Sequence, residues 1–556
     1  MKLNKLTLVK IIAAFIISIS LINCGGGGSS GDSSQEGVAE GMQEGTTEGT
    51  QEGTTEGASE GVTEGNQEGS QEGFQEGNSE GNQEEGGSES GYTISGSIDS
   101  SLIDQLKINK VLIFEGTVSS DTITTGIDPV LTANVSQNTA SLLWNYSVNS
   151  EISGTYTIAV MTSESDFSKG GASIAVNKII TANIPAEDSY QANFTADNII
   201  TVGANGDYPT PSTAYPYVED GDVIEIEAGT YENDIVVWRQ NNITLRGVNG
   251  KAHLHASNTI EYEGSNDQKN GKGIWVIRGD NVRVENIEFS GATVPDENGA
   301  GIRLEGENLY ISNCYFHNNE NGILGGYGTT LVEFSEFANN GYGGGYTHNI
   351  YIGNYTDKFI FRYSNSHHAK VGHNIKSRAA ENIIKYSRIM DEANGYSSYG
   401  IDLPNGGDAT IIGNIIQQGA NAENNKLISY GAEGISYDSN SLNIINNTII
   451  NQRSSATYIR IAGGITANLT NNLFIGDGTL VSGEANLSNN LQFSSDPGVV
   501  DFSGYDFHLT SSVTTAINSG TDLNSSLIPS LEYSHNSRYS ERENDGHIDI
   551  GAYEYH

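Results

Sequence analysis

The sequence predicts an all-β chain whose body, residues 199–556, is a right-handed parallel β-helix, a solenoid of stacked coils. Three observations carry this expectation. An aliphatic residue recurs in short strands at Ile274, Ile302, Ile323, Ile350, Ile375, Ile401, Ile428 and Ile459, in steps of 21 to 31 residues. A second ladder, an Asn or Ser inside an apolar strand, interleaves with it: Asn286, Asn313, Ser335, Ser364, Ser387, Asn414, Asn447 and Asn472. The runs around both ladders alternate or are continuously β-branched, and show none of the 3.6-residue period of a helical repeat.

Two interleaved ladders with a common period mean coils stacked along an axis, each Ile above the last inside the body. Stacked Asn or Ser side chains hydrogen-bond from coil to coil and satisfy backbone groups that would otherwise be buried unpaired. Asn also tolerates the left-handed conformation that sharp corners need.

The elements before the body differ in kind. Lys2, Lys5 and Lys10 precede an apolar run from Ile11 to Ile22, a charged region followed by a short hydrophobic one, as in a secretory signal. Leu21-Ile22-Asn23-Cys24 resembles a bacterial lipobox. The resemblance implies a signal peptide over 1–23 and lipidation of Cys24, so that acyl chains tie the protein to a membrane. Gly25 after the cysteine implies, by the same resemblance, the outer membrane and hence a cell-envelope location, periplasmic or surface-exposed.

Residues 24–91 form a second element. Glu-Gly recurs at every fourth position from Glu36-Gly37 to Glu80-Gly81. With almost no apolar residues and strong like charge, this segment cannot offset its ordering entropy. It is expected to be a disordered, self-repelling tether, reaching at most ~200 Å for roughly 65 residues. Residues 92–198 carry short strand-like runs, including Val111-Leu112-Ile113-Phe114 and Gly154–Val160, between Ser-rich and Asn-rich turns. They predict a small β-sandwich-like domain serving as a spacer or accessory module.

Composition narrows the function. The net charge is −42, and the body stays acidic after the tether is set aside. Nucleic acid is therefore excluded as a partner, since phosphate binding needs clustered Lys and Arg. Two cysteines, Cys24 and Cys314, make no disulfide framework, and Cys314 in an apolar run is a core residue. A monomer is expected.

The body resembles the pectate-lyase-like superfamily of β-helix proteins. Gly221–Tyr231 looks like their first coil. Asp496-Pro497-Gly498, Tyr505–Leu509, Ala516–Gly520 and Asp549–Glu554 resemble the terminal segment of many bacterial members. The resemblance implies the fold over roughly 350 residues. It leaves function open, because this fold hosts lyases, hydrolases, epimerases and adhesins.

Candidate chemistry lies on the outward file that follows each ladder Ile: Trp275, Arg303, Leu324, Tyr351, Lys376, Asp402, Ser429 and Arg460. Coils are about 4.8 Å apart, so Tyr351, Lys376 and Asp402 are expected to be neighbours, as are His348, His373 and Tyr399 two places before the Ile. Arg378 lies beside them. β-Elimination on a uronic-acid polysaccharide needs a base, a cation to neutralise the carboxylate and an acid for the leaving oxygen. Lys376, Asp402, His348, His373, Tyr351, Tyr399 and Arg378 hold these functions between them, with Arg303, Arg460, Tyr430 and Glu433 as candidate substrate contacts.

Asn374-Ile375-Lys376-Ser377 resembles the Lys-Ser segment of β-helix alginate and chondroitin lyases, which implies Lys376 as base. The next coil departs from those lyases, with Pro404-Asn405-Gly406 where they carry Arg-His-Gly. A polysaccharide lyase is thus the expected function. A non-catalytic glycan-binding or adhesin-like protein, or a glycoside hydrolase, stands as the alternative, and a merely polar flank explains the same residues. The sequence names no certain cofactor; calcium is the candidate ion, at Asp391-Glu392 with a neighbouring loop. Trp238 and Trp275 are core residues or sugar-stacking platforms.

Overall fold

A computed structural model describes residues 92–556, apart from 125–126, 139, 166–173, 187, 262–271 and 544. The expected signal peptide, Cys24 and tether lie outside the described residues. Among the described residues no helix is long and apolar enough to cross a membrane.

The first region is the expected sandwich-like β unit. Leu131–Gln137 pairs antiparallel through its first half with Ile108–Glu115 and through its second with Trp144–Ser150, so one strand joins the two halves of a seven-stranded sheet. Ile94, Val111, Ile113, Tyr146, Ile158, Val160 and Phe194 form a core common to both. This unit is fastened to the first coils by charge. Arg246 reaches Asp99 at 2.8 and 2.9 Å and Glu225 at 2.7 Å. Burial works against the Asp99 carboxylate, but Arg246 overcomes it and holds its pKa below the usual range.

The body is a parallel β-helix, with 29 strands among the described residues and every rung between them parallel. Three strand stacks line it. Ile302, Ile323, Ile350, Ile375, Ile401, Ile428 and Ile459 are all fully buried in one stack. Ring stacking reinforces the interior: Trp275, Phe289, Phe316 and Phe337 follow one another at 5.0, 4.9 and 4.7 Å between centroids. Trp275 meets Phe289 edge-on within one coil, and the 4.9 and 4.7 Å steps from Phe289 to Phe337 follow the coil rise, so those rings stack at van der Waals distance.

Both ladders need local correction. Ile302 pairs with Trp275, not with Ile274, so the tryptophan turns inward and is fully buried. Trp275 therefore leaves the outward file, and Val276 stands opposite Arg303. Trp238 is equally buried. The polar ladder divides in two. The continuous file begins at Cys314, whose backbone N–H donates to Ser335 Oγ, and continues through Ser364, Ser387, Asn414, Asn447 and Asn472. Asn286 and Asn313 belong to the preceding position, a corner with φ near +55° also taken by Phe334, Tyr363 and Tyr386. Cys314 thus replaces a serine, and burial lifts its thiol pKa to about 11.

From residue 496 the chain leaves the coils and lies against their flank. Asn446 Nδ2 donates to the Asp549 carbonyl at 2.7 Å, and the Ala552 N–H donates to Thr448 Oγ1 at 3.0 Å. The Ser530 N–H donates to the Tyr386 hydroxyl at 3.2 Å. Ser537 Oγ donates to the Ser335 carbonyl at 3.2 Å. Phe507, Val513, Tyr533, Ile550 and Tyr553 bury an apolar seam against Met390, Ile415, Ile450 and Leu473.

Candidate functional site

The outward file forms as expected from its second member on. Arg303, Leu324, Tyr351, Lys376, Asp402, Ser429 and Arg460 stand in register on consecutive coils. Strand alternation places them outside because their neighbours Ile350, Ile375 and Ile401 point in.

Lys376 is the centre. Its Nζ lies 4.0 Å from Asp402 Oδ2, 3.5 Å from Glu433 Oε1 and 5.6 Å from the centre of the Tyr351 ring. Arg378, just beyond the strand, turns its guanidinium over the same place. Its Nε donates to the Tyr351 hydroxyl at 3.0 Å, one Nη donates to Asn405 Oδ1, and the other meets Glu433 Oε2 at 2.7 Å. Tyr437 donates to the Arg378 carbonyl and steadies that turn. Burial disfavours the Arg378 charge, but Tyr351 and Glu433 more than restore it. Glu433 is half exposed, whereas Lys376 and Arg378 are mostly covered. Burial opposes its charge too, yet Arg378 and Lys376 hold its pKa below the ordinary carboxylate range.

Beneath this surface lies an aromatic layer. The rings of His348 and His373 are 4.5 Å apart, and Tyr399 meets His373 edge-on at 4.8 Å. The His373 N–H donates to His348 Nδ1 at 3.0 Å, so His348 is neutral and carries its proton on Nε2. Burial, with His373 and Lys376 next in effect, pushes its pKa well below that of a free histidine. His373 is driven down to about 3 by burial and Lys376, and its Nε2 lies 3.6 Å from Asp402 Oδ2. Asp402 is 4% exposed, and burial raises its carboxyl to about 6 against the pull of Lys376. Asp402 Oδ1 and His373 Nδ1 are buried without a well-formed hydrogen bond.

The remaining expected contacts separate. Tyr430 is a core residue: it pairs with Leu403 and Ile461, is fully buried, and donates its hydroxyl proton to the Gly407 carbonyl at 2.6 Å. Arg303 is tied to Glu305 at 3.0 Å, three coils from Lys376, or about 14 Å at ~4.8 Å per coil. Arg460 lies two coils beyond Lys376's partner Asp402 and acts electrostatically on Tyr399. Asp391 and Glu392 do not converge. Asp391 is buried against Ser397 Oγ at 2.8 Å, whereas Glu392 pairs with Arg388 at 2.7 Å. Asn405 and Tyr437 were not legible, since both sit in loops with no ladder position. Tyr355, later on the strand of Tyr351, is 60% exposed and stacks on Tyr327 at 5.3 Å.

Residues 233–416, about a third of the chain, match the family model described as a right handed beta helix region. The body is a right-handed parallel β-helix. Among solved structures, the pectate lyase Pel9A shares 17% identity, covering 65% of this chain and 97% of its own, with a TM-score of 0.41. The alginate lyase from Paenibacillus sp. str. FPU-7 shares 14%, covering 54% and 99%, at 0.33. Pectin methylesterase PemA from Erwinia chrysanthemi shares 12%, covering 58% and 94%, at 0.24. No curated protein matches the chain in sequence. Likenesses this distant lend no residue role to the β-helix described above.

Proposed function

We propose that this β-helix is a carbohydrate-active protein of the cell envelope, tethered through Cys24, that cleaves a uronic-acid polysaccharide by β-elimination. One observation carries the reading. In an acidic body, Lys376 and Arg378 together grip a half-exposed carboxylate, that of Glu433, at 3.5 and 2.7 Å. The Glu433 carboxylate stands in for the carboxylate of a uronate ring. When substrate displaces it, Arg378 and Asn405 bind the sugar carboxylate, and Lys376 faces the ring carbon that bears it. Lys376 takes the proton from that carbon, and the pair of electrons forms a double bond to the neighbouring carbon. The glycosidic oxygen leaves with a proton from Tyr351 or Tyr399. Arg378 serves here in the place of the arginine missing at Pro404, because its side chain reaches into that coil.

Two carboxylates, Asp402 raised and Glu433 lowered, also suggest the acid and base of a glycoside hydrolase. The Lys376 amine fills the space between them, where the scissile bond would have to lie. Elimination is therefore the better reading. Incubating the protein with a panel of uronic-acid polysaccharides, and following absorbance of the unsaturated product, tests it. Product that disappears in Lys376→Ala supports the assignment. Binding without product favours the adhesin-like alternative, new reducing ends without absorbance favour hydrolysis, and product unaffected by Lys376→Ala moves the base elsewhere.

A further inference from the structure

A second group of ionisable side chains lies on a different strand stack. On the strands Thr244–His255, Ile287–Ser290 and Tyr315–His317, the inward residues Leu254, Phe289 and Phe316 are fully buried, which turns His253, Glu288 and His317 outward. His253 pairs directly with Glu288, and His317 follows on the next coil opposite Ser290. Three consecutive coils therefore each supply one donor. Their ligand atoms all lie within 4.8 Å of one another. His317 Nε2 is 2.9 Å from Glu288 Oε1, and His253 Nε2 is 3.6 Å from the same oxygen.

From this we propose a binding site for a divalent transition metal, zinc or a similar ion, held by His253, Glu288 and His317. Two imidazole nitrogens and one carboxylate oxygen are a donor set such ions prefer. Ligands about 2.1 Å from a tetrahedral ion stand about 3.4 Å apart, close to the two edges that meet at Glu288. A small rotation of either imidazole closes the third edge. Ser290 Oγ, itself buried, borders the group at 2.7 Å from His253 Nε2 and 2.8 Å from His255 Nδ1.

The surroundings suit a metal. The three donors are 17 to 26% exposed, so an ion can enter yet is partly shielded. Lys251, on the strand Thr244–His255, donates to the Asn313 carbonyl. The Asn318 amide lies 2.9 Å from His317 Nδ1. Turned over, it accepts the Nδ1 proton and frees Nε2 for the ion. Parallel strands supply the rigidity: buried Ala252 and Leu254 flank His253, Ile287 and Phe289 flank Glu288, and Phe316 anchors His317.

The test is titration of the metal-stripped full chain with Co²⁺ and then Zn²⁺. One equivalent of Co²⁺ with visible absorption of four-coordinate geometry, displaced by Zn²⁺, is expected. His253→Gln and His317→Gln should each weaken Zn²⁺ by more than ten-fold, while His367→Gln, in the separate group with Glu336 and His368, leaves it unchanged. Absence of Co²⁺ binding by the wild type overturns the proposal, as does unchanged affinity in a His253→Gln/His317→Gln chain with native circular dichroism. Should those variants fail to fold, X-ray absorption of the zinc-loaded wild type decides. Two imidazoles in the shell support the site, and none refutes it.

Discussion

Replacing Asp402 by Asn should make the protein more stable at pH 8. Burial raises this carboxyl from 3.8 to about 6, with Lys376 recovering only part of the cost. A carboxyl raised by folding binds more protons in the native state than in the unfolded one. Its contribution is therefore full below pH 3.8 and is lost as pH rises through about 6. Two units at 1.36 kcal/mol each correspond to about 3 kcal/mol of strain in the ionised native state. The amide of the variant carries no charge to desolvate, and Lys376 keeps Glu433 as partner. Urea midpoints followed by far-UV circular dichroism should coincide for wild type and Asp402→Asn at pH 3. They should diverge in favour of the variant by up to about 3 kcal/mol at pH 8. A variant less stable at pH 8, or a difference independent of pH, would refute the burial argument. A gain in stability accompanied by lost product formation would mark Asp402 as a residue kept for chemistry.

Other expectations follow from the same geometry. Glu433→Gln removes the anion that occupies Arg378 and Lys376, so binding of an acidic oligosaccharide should tighten several-fold by calorimetry; weaker binding would mean that Glu433 touches the sugar directly. Cys314→Ser should stay within about 1 kcal/mol of wild type, because a serine hydroxyl there can donate to the Ser312 carbonyl as Ser335, Ser364 and Ser387 do to theirs. The native thiol, buried and raised to about 11, should resist thiol reagents until the protein unfolds. Asn414→Ala leaves the Ser387 N–H, the Ile384 carbonyl and Asn447 Oδ1 short of a partner. It should cost about 3 kcal/mol or more in thermal or urea unfolding.

The stacking was legible because burial repeats. From Ile302 to Ile459 each inward aliphatic is fixed by the coil below, so register survives loops of different length. It failed at Ile274, where a large tryptophan one residue on fills the same interior space. Asn313 misled for a similar reason: its serine-like partner in the ladder is the adjacent Cys314, which looks apolar. Tyr430 was misplaced because it neighbours Ser429, and alternation alone turns it inward. The site was legible where it lies on strands, in Tyr351, Lys376 and Asp402. Asn405 and Tyr437 come from turns, whose placement depends on tertiary contacts with Arg378 that no periodicity records.

The terminal segment changes how such a solenoid holds together. Stacked coils touch only their neighbours, so opening at one end need not disturb the middle. Here residues 518–553 bond to Ser335, Tyr386, Asn446 and Thr448, which belong to coils far apart along the axis. Those coils can separate only if the strap lets go, so the stretch that carries Lys376 and Asp402 melts as one block.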